Sequence, residues 1–296
     1  MTDEHHHLKP NYYLPEPSHW PIVGSIGLTC LLVGVANWLH ENAIGPYVAG
    51  LGLLITLYMV VGWFGTVIRE NQAGNFQNEM ADNAFRSGMI WFIFSEVMFF
   101  CVFFGALFYT RVYTVPWLGG VGGGALTHIL LWPNFESTWP LFHNPDPAQF
   151  GGQHSVMNTW GIPALNTLIL LTSGVTITFA HWGLLQKKRR LTLISQALTI
   201  LLGLTFLVMQ VVEYGEAYTE KALTLHSGIY GSTFFMLTGF HGFHVTLGSI
   251  MLTVILWRLY RGHFDEKHHF AFEAVAWYWH FVDVVWLGLF IFVYWL

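Results

Sequence analysis

Glu96 stands in Phe94-Ser95-Glu96-Val97-Met98-Phe99-Phe100, a carboxyl in an otherwise apolar and aromatic run. His241 and His244 stand in a second such run, Gly239-Phe240-His241-Gly242-Phe243-His244-Val245. An ionisable side chain near the middle of an apolar span costs about 2.5–3.5 kcal/mol on insertion scales, so it faces protein or water and marks function. Burial favours the neutral acid at Glu96 unless a donor within reach offsets it. The i, i+3 spacing puts both imidazoles on one helix face, where they can supply that donor, and a contact from Glu96 to His244 is the specific expectation. Two readings of Glu96 stand open, a proton-active or partner-coupled site and a protonated, hydrogen-bonded structural acid.

Other residues of chemical type point less far. His181, His241, His244 and His280 all fall in apolar runs and raise the question of haem. Axial histidines need matched pairs on facing helices, and no second pair accompanies His241 and His244, so haem is expected to be absent. Glu273 and Asp283 lie in the last apolar run, but no Gly/Pro-broken pair of spans announces a transport site. Gly119-Gly120-Val121-Gly122-Gly123-Gly124 lacks the Lys-Ser/Thr of a phosphate cradle and reads as a flexible connector. Cys30 and Cys101 read as small buried hydrophobes, with no CxxC or CxxCH nearby.

The elements that must position these groups follow from composition. Of 296 residues, 54% are hydrophobic and 10% charged, where soluble domains carry about a quarter charged. Apolar windows long enough to cross about 30 Å of hydrocarbon occur at residues 22–40, 46–68, 85–109, 162–185, 191–212, 231–257 and 272–296. The fold class is therefore all-α, with seven transmembrane helices. With the N-terminus inside, Lys9, Arg69, Arg86, Lys187, Lys188, Arg189, Arg190, Arg258, Arg261 and Lys267 fall on the inner side, and only Arg111 and Lys221 on the outer. This asymmetry predicts an odd number of spans, with the N-terminus cytoplasmic and the C-terminus outside. Residues 1–21 lack a basic, apolar signal core and read as a cytoplasmic tail, in which His5, His6 and His7 are solvated. Residues 69–84 form a cytoplasmic loop and 112–161 a long outer one. The net charge of −5, with no basic stripe, excludes nucleic acid.

The chain resembles subunit III of the haem-copper cytochrome c oxidases. The resemblance rests on Gly88-Met89-Ile90-Trp91-Phe92-Ile93-Phe94-Ser95-Glu96-Val97-Met98-Phe99-Phe100, on Gly231-Ser232-Thr233-Phe234-Phe235 leading to the His241/His244 run, and on His268-His269-Phe270 through Trp277-Tyr278-Trp279-His280-Phe281-Val282-Asp283-Val284-Val285-Trp286. It implies a two-helix unit (22–68) and a five-helix unit (85–296) about a V-shaped, phospholipid-filled cleft. It also implies an accessory subunit without its own cofactor, beside subunit I, which carries haems and copper, and subunit II, which carries the electron-entry copper. Cytochrome c is then met only through this proton-pumping translocase, in a bacterial inner membrane. By the resemblance the subunit stabilises the core, sustains proton uptake and gives oxygen access. Glu96 matches the family's carbodiimide-reactive glutamate. Arg69, Glu70, Arg86, Arg258, His263 and Phe264 match lipid-headgroup contacts. Rival readings are subunit III of a quinol oxidase, a membrane haem protein and a transporter. The 112–161 connection is longer than the family's, so its contacts do not carry over. The resemblance also implies no catalytic or metal residue in this chain, and Trp182, where some relatives place a second His after His181, weighs further against a metal there.

Overall fold

A computed structural model describes residues 17–74, 79–149 and 151–296. The histidines at 5–7, Lys9 and part of the expected 69–84 loop lie outside the described residues. Among the described residues every regular element is helical, as a hydrocarbon solvent requires of a chain that must satisfy its own backbone N–H and C=O groups. Seven helices are long and apolar enough to cross a membrane. The chain is a multi-pass membrane protein.

By contacts the chain divides into two compact units, Met1–Phe85 and Arg86–Leu296. In the first, α1 (Trp20–Leu39) and α2 (Gly45–Gln72) pack as an antiparallel hairpin. Each carries proline in its first turn, where a missing N–H costs nothing. The two backbones touch through glycine: a Cβ on Gly34 would overlap the backbone of Ala49, and one on Gly52 that of Leu31. Gly50, the other small residue of that run, meets nothing within 4 Å.

The second unit takes in α3 (Glu79–Tyr109) from Arg86 onward, then α6 (Ile162–Leu185), α7 (Arg189–Glu220), α8 (Ile229–Tyr260) and α9 (Phe270–Leu289). Helices α6 to α9 close a ring, each in contact with the next and α9 with α6. Trp279 of α9 is its keystone. Fully buried, its indole fits a slot where a Cβ on Gly203 of α7 or Gly248 of α8 would collide with it, and its Nε1–H donates to Ser173 Oγ of α6 at 2.9 Å. Thr176 to Thr199 (2.7 Å), Gln196 to the Leu252 carbonyl (3.1 Å) and Trp286 to Thr167 (2.9 Å) add polar ties across the ring. Helix α3 lies against α8 and α9 through rings, Phe99 on Phe240 at 5.1 Å and Phe100 on Phe281 at 6.1 Å.

Three sequence expectations shift. Helix α7 runs to Glu220, eight residues past Val212, because Glu213 is fully buried and does not end the helix. The 112–161 connection is helical at its start: a π turn (Thr110–Thr114) leads into α4 (Val115–Leu118), and α5 (Ala125–Leu131) follows the glycine run, which forms a turn rather than a loose connector. Cys101 faces outward rather than being buried, and Cys30 is half-buried.

Candidate functional site

Glu96, on the third span, meets His244 on α8, whose Nε2 lies 2.8 Å from Glu96 Oε2. The other ring nitrogen, Nδ1, lies 2.6 Å from the Phe240 carbonyl oxygen. A carbonyl only accepts, so Nδ1 carries a hydrogen. Nε2 and Oε2 then share one proton, held either by a neutral Glu96 that donates to Nε2 or by an imidazolium that donates to a carboxylate. Both arrangements leave the pair neutral overall, which is what a low-dielectric site tolerates. Phe99, Phe100 and Phe243 surround the imidazole at 5.0–5.9 Å, and Tyr278 stacks on it at 6.4 Å. The carboxyl side keeps 23% exposure on the face of the unit, while the imidazole keeps 8%. The site thus holds one proton between an aromatic interior and a partly open face.

His241 does not join it. One helical turn earlier, its Nε2–H donates to the Val282 carbonyl of α9 at 3.2 Å, and its ring packs on Phe206 and Trp286. The i, i+3 spacing set both rings on the inner side of α8, but at different neighbours.

The residues matched to headgroup contacts divide between the two units. In the first, Arg69 donates to Thr66 Oγ1 at 3.1 Å, and Glu70 is the next residue of α2. In the second, Gly262, at φ 73°, reverses the chain after α8, and His263 N–H returns to the Arg258 carbonyl at 3.0 Å. That turn lays Phe264 over Arg258, with the guanidinium carbon 4.4 Å from the ring centroid. Arg261 lies over Trp257 at 5.4 Å. His263 is held below its ordinary value of 6.5 by burial and then by the charges of Arg258 and Arg261. Arg86 pairs with Glu273 Oε2 and lies over Phe270 at 5.4 Å.

The comparisons decide the family. A family model described as cytochrome c oxidase subunit III matches residues 10–124 and 137–296. The chain is 39% identical to the cytochrome c oxidase subunit 3 of Oryctolagus cuniculus and 41% identical to that of Cyprinus carpio, over 98% of each chain, and 40% identical to that of Triticum aestivum over 96% of each. The chain belongs to the cytochrome c oxidase subunit III family. As a subunit of cytochrome c oxidase it forms part of a complex with other oxidase subunits. The family match omits 125–136, a stretch inside the long connection that contains α5.

Two features of this subunit III escaped sequence reasoning. Glu213 is fully buried, a deeper carboxyl than Glu96, and was passed over because the apolar window ends at Val212. Near the opposite end of the ring, His181, His269 and Glu273 converge: His269 Nε2 lies 3.0 Å from Glu273 Oε1 and 3.3 Å from His181 Nε2, and His181 Nε2 lies 3.8 Å from that same oxygen. The i, i+4 spacing of His269 and Glu273 on the first turn of α9 was a readable signal. No linear signal joined them to His181, 88 residues earlier.

Proposed function

We propose that this subunit serves the oxidase as an accessory, non-catalytic part. It stabilises subunit I, which carries the haems and copper, beside subunit II. It also supports proton uptake and oxygen access, and holds phospholipid. The observation that carries this reading is the Glu96–His244 pair, one proton shared inside an aromatic cage with the carboxyl reaching a partly open face. A pair that holds one proton between a carboxyl and an imidazole can take up or release charge beside a proton-moving core without a redox centre of its own. The 23% of Glu96 left exposed is the surface through which a neighbouring subunit or lipid senses it.

The headgroup reading rests on Arg258, Arg261 and His263 gathered at one helix end, with Phe264 stacked to orient Arg258. Guanidinium groups pair bidentately with phosphate oxygens. Arg69 and Glu70 lie in the last turn of α2, and Arg86 commits part of its guanidinium to Glu273. The ten-to-two division of basic residues supports a cytoplasmic N-terminus and an outer C-terminus. A bacterial inner membrane, with cytochrome c met only through the assembled complex, completes the proposal.

The test is the number of turnovers that purified oxidase completes before it inactivates. Glu96→Gln, which holds no transferable proton, is expected to shorten that lifetime at least threefold while leaving the initial rate and the haem spectrum of the complex unchanged. An unchanged lifetime, with the subunit still bound, would overturn the supportive role of the pair.

A further inference from the structure

We infer that His181, His269 and Glu273 form a binding site for a divalent cation of the zinc class. It ties the inner end of α6 to the first turn of α9. The inference goes beyond the accessory role above and does not depend on it.

The three ligand-type atoms are His181 Nε2, His269 Nε2 and Glu273 Oε1, separated by 3.0, 3.3 and 3.8 Å. Zinc binds imidazole nitrogen and carboxylate oxygen at about 2.0–2.2 Å, which makes the edge of a tetrahedral site about 3.3–3.6 Å. The three edges bracket that length. A circle through the three atoms has a radius of about 2.0 Å, so one point is at ligand distance from all of them.

The protonation pattern asks for a cation there. His269 Nδ1–H donates to the Asp265 carbonyl at 3.0 Å, which leaves Nε2 as a lone pair in the neutral ring. That lone pair faces Glu273 Oε1 at 3.0 Å, an acceptor against an acceptor, while His181 Nε2, whose tautomer no contact fixes, can turn either a hydrogen or a lone pair toward it. Either an extra proton or a metal ion resolves this. The remote hydrogen bonds are those of a metal site. Asp265 fixes the tautomer and tilt of His269, and Arg86 takes the other carboxylate oxygen of Glu273. Asp265 is itself held in place by N–H groups of Lys267 (2.7 Å) and His268 (2.6 Å). The His181 side chain keeps 29% exposure and Glu273 13%, so an ion can enter and a water can complete the fourth position. Trp182, at the position that weighed against a metal, is 52% exposed and packs on Phe179 outside the cluster.

The probe is zinc chloride, added to the purified oxidase complex after chelator treatment and removal of the chelator. Zinc is counted by competition with a fluorescent chelator, and its ligands are read by X-ray absorption. The expected result is one zinc per complex that is lost, or bound at least a hundredfold more weakly, in His181→Ala and in His269→Ala. His181→Cys is expected to keep the ion and to add a sulfur at about 2.3 Å. This second variant keeps the test decisive if either alanine variant fails to assemble. Zinc uptake equal in the parent and His181→Ala complexes would overturn the site. So would a His181→Cys complex whose zinc shows no sulfur, which would leave a shared proton as the sole occupant of the cluster.

Discussion

Replacing Glu96 by glutamine tests the shared proton directly. Because Nδ1–H of His244 is committed to the Phe240 carbonyl, Nε2 of the neutral ring accepts, and a glutamine amide N–H can donate to it. Glu96→Gln therefore keeps a hydrogen bond and loses only its charge-assisted component. Hydrogen bonds to charged groups contribute about 1.5–3 kcal/mol and neutral ones about 0.5–1.5, a difference of about 1 kcal/mol. His244→Ala instead leaves the carboxyl without its imidazole and empties a space among Phe99, Phe100 and Tyr278. The informative quantity is the coupling between His244→Ala and Glu96→Ala, which removes the bond altogether where glutamine keeps it; for hydrogen bonds between membrane helices such coupling averages about 0.6 kcal/mol and reaches about 1.7. The 8% exposure of the imidazole and the 2.8 Å contact place this pair in the upper half of that range, about 1–1.7 kcal/mol. The assay is a double-mutant cycle on the SDS-induced unfolding midpoint of the subunit in purified oxidase, with infrared spectroscopy of the carboxyl region as the second readout. A coupling below about 0.3 kcal/mol would be additivity within error and would refute the shared-proton pair.

Ser173→Ala leaves the fully buried Trp279 indole N–H without its acceptor, and unfolding of the complex is expected to ease by about 1–2 kcal/mol. Gly248→Val pushes a side chain into the same indole from α8 and is expected to cost about 1–3 kcal/mol, seen as faster hydrogen exchange in α8 and α9. The combination Arg69→Ala with Arg258→Ala is expected to reduce the phospholipid retained through purification by at least half, as measured by phosphorus analysis. For His263, burial and then the charges of Arg258 and Arg261 oppose protonation, so in delipidated oxidase its acylation by diethyl pyrocarbonate is expected to titrate below 6.5. Restoring an anionic phospholipid offsets the two arginines and is expected to move that midpoint upward. A midpoint indifferent to lipid would separate His263 from the headgroup site.

The spans were legible because hydrocarbon leaves the chain few alternatives. Apolar length marks a crossing, and proline near residues 21, 46 and 163 marks where three helices begin. Helix ends were less legible where charge and burial part company, as Glu213 shows: a window that stops at the first carboxylate cannot know that the helix buries it. The 112–161 connection misled for the converse reason. Its glycines and prolines read as irregular, yet α4 and α5 form on either side of the glycine run.

The sites follow the same division between local and distant information. Glu96 and His244 stood out because each breaks an apolar run, and the depth of both in their spans made their meeting an inference about level within the membrane. The separation of His241 from that pair did not stand out, since three residues of helix differ by only a rotation and a rise that decide between Glu96 and the Val282 carbonyl. The His181 cluster required α6 to be placed against α9, and its residues sit at helix ends, where a charged side chain is common and its presence says little. In an apolar solvent the sequence advertises its polar groups in proportion to what they cost. The mid-span pair was therefore visible, while a cluster of equal chemical capacity at the rim emerged only once the ring of α6 to α9 brought α6 against α9.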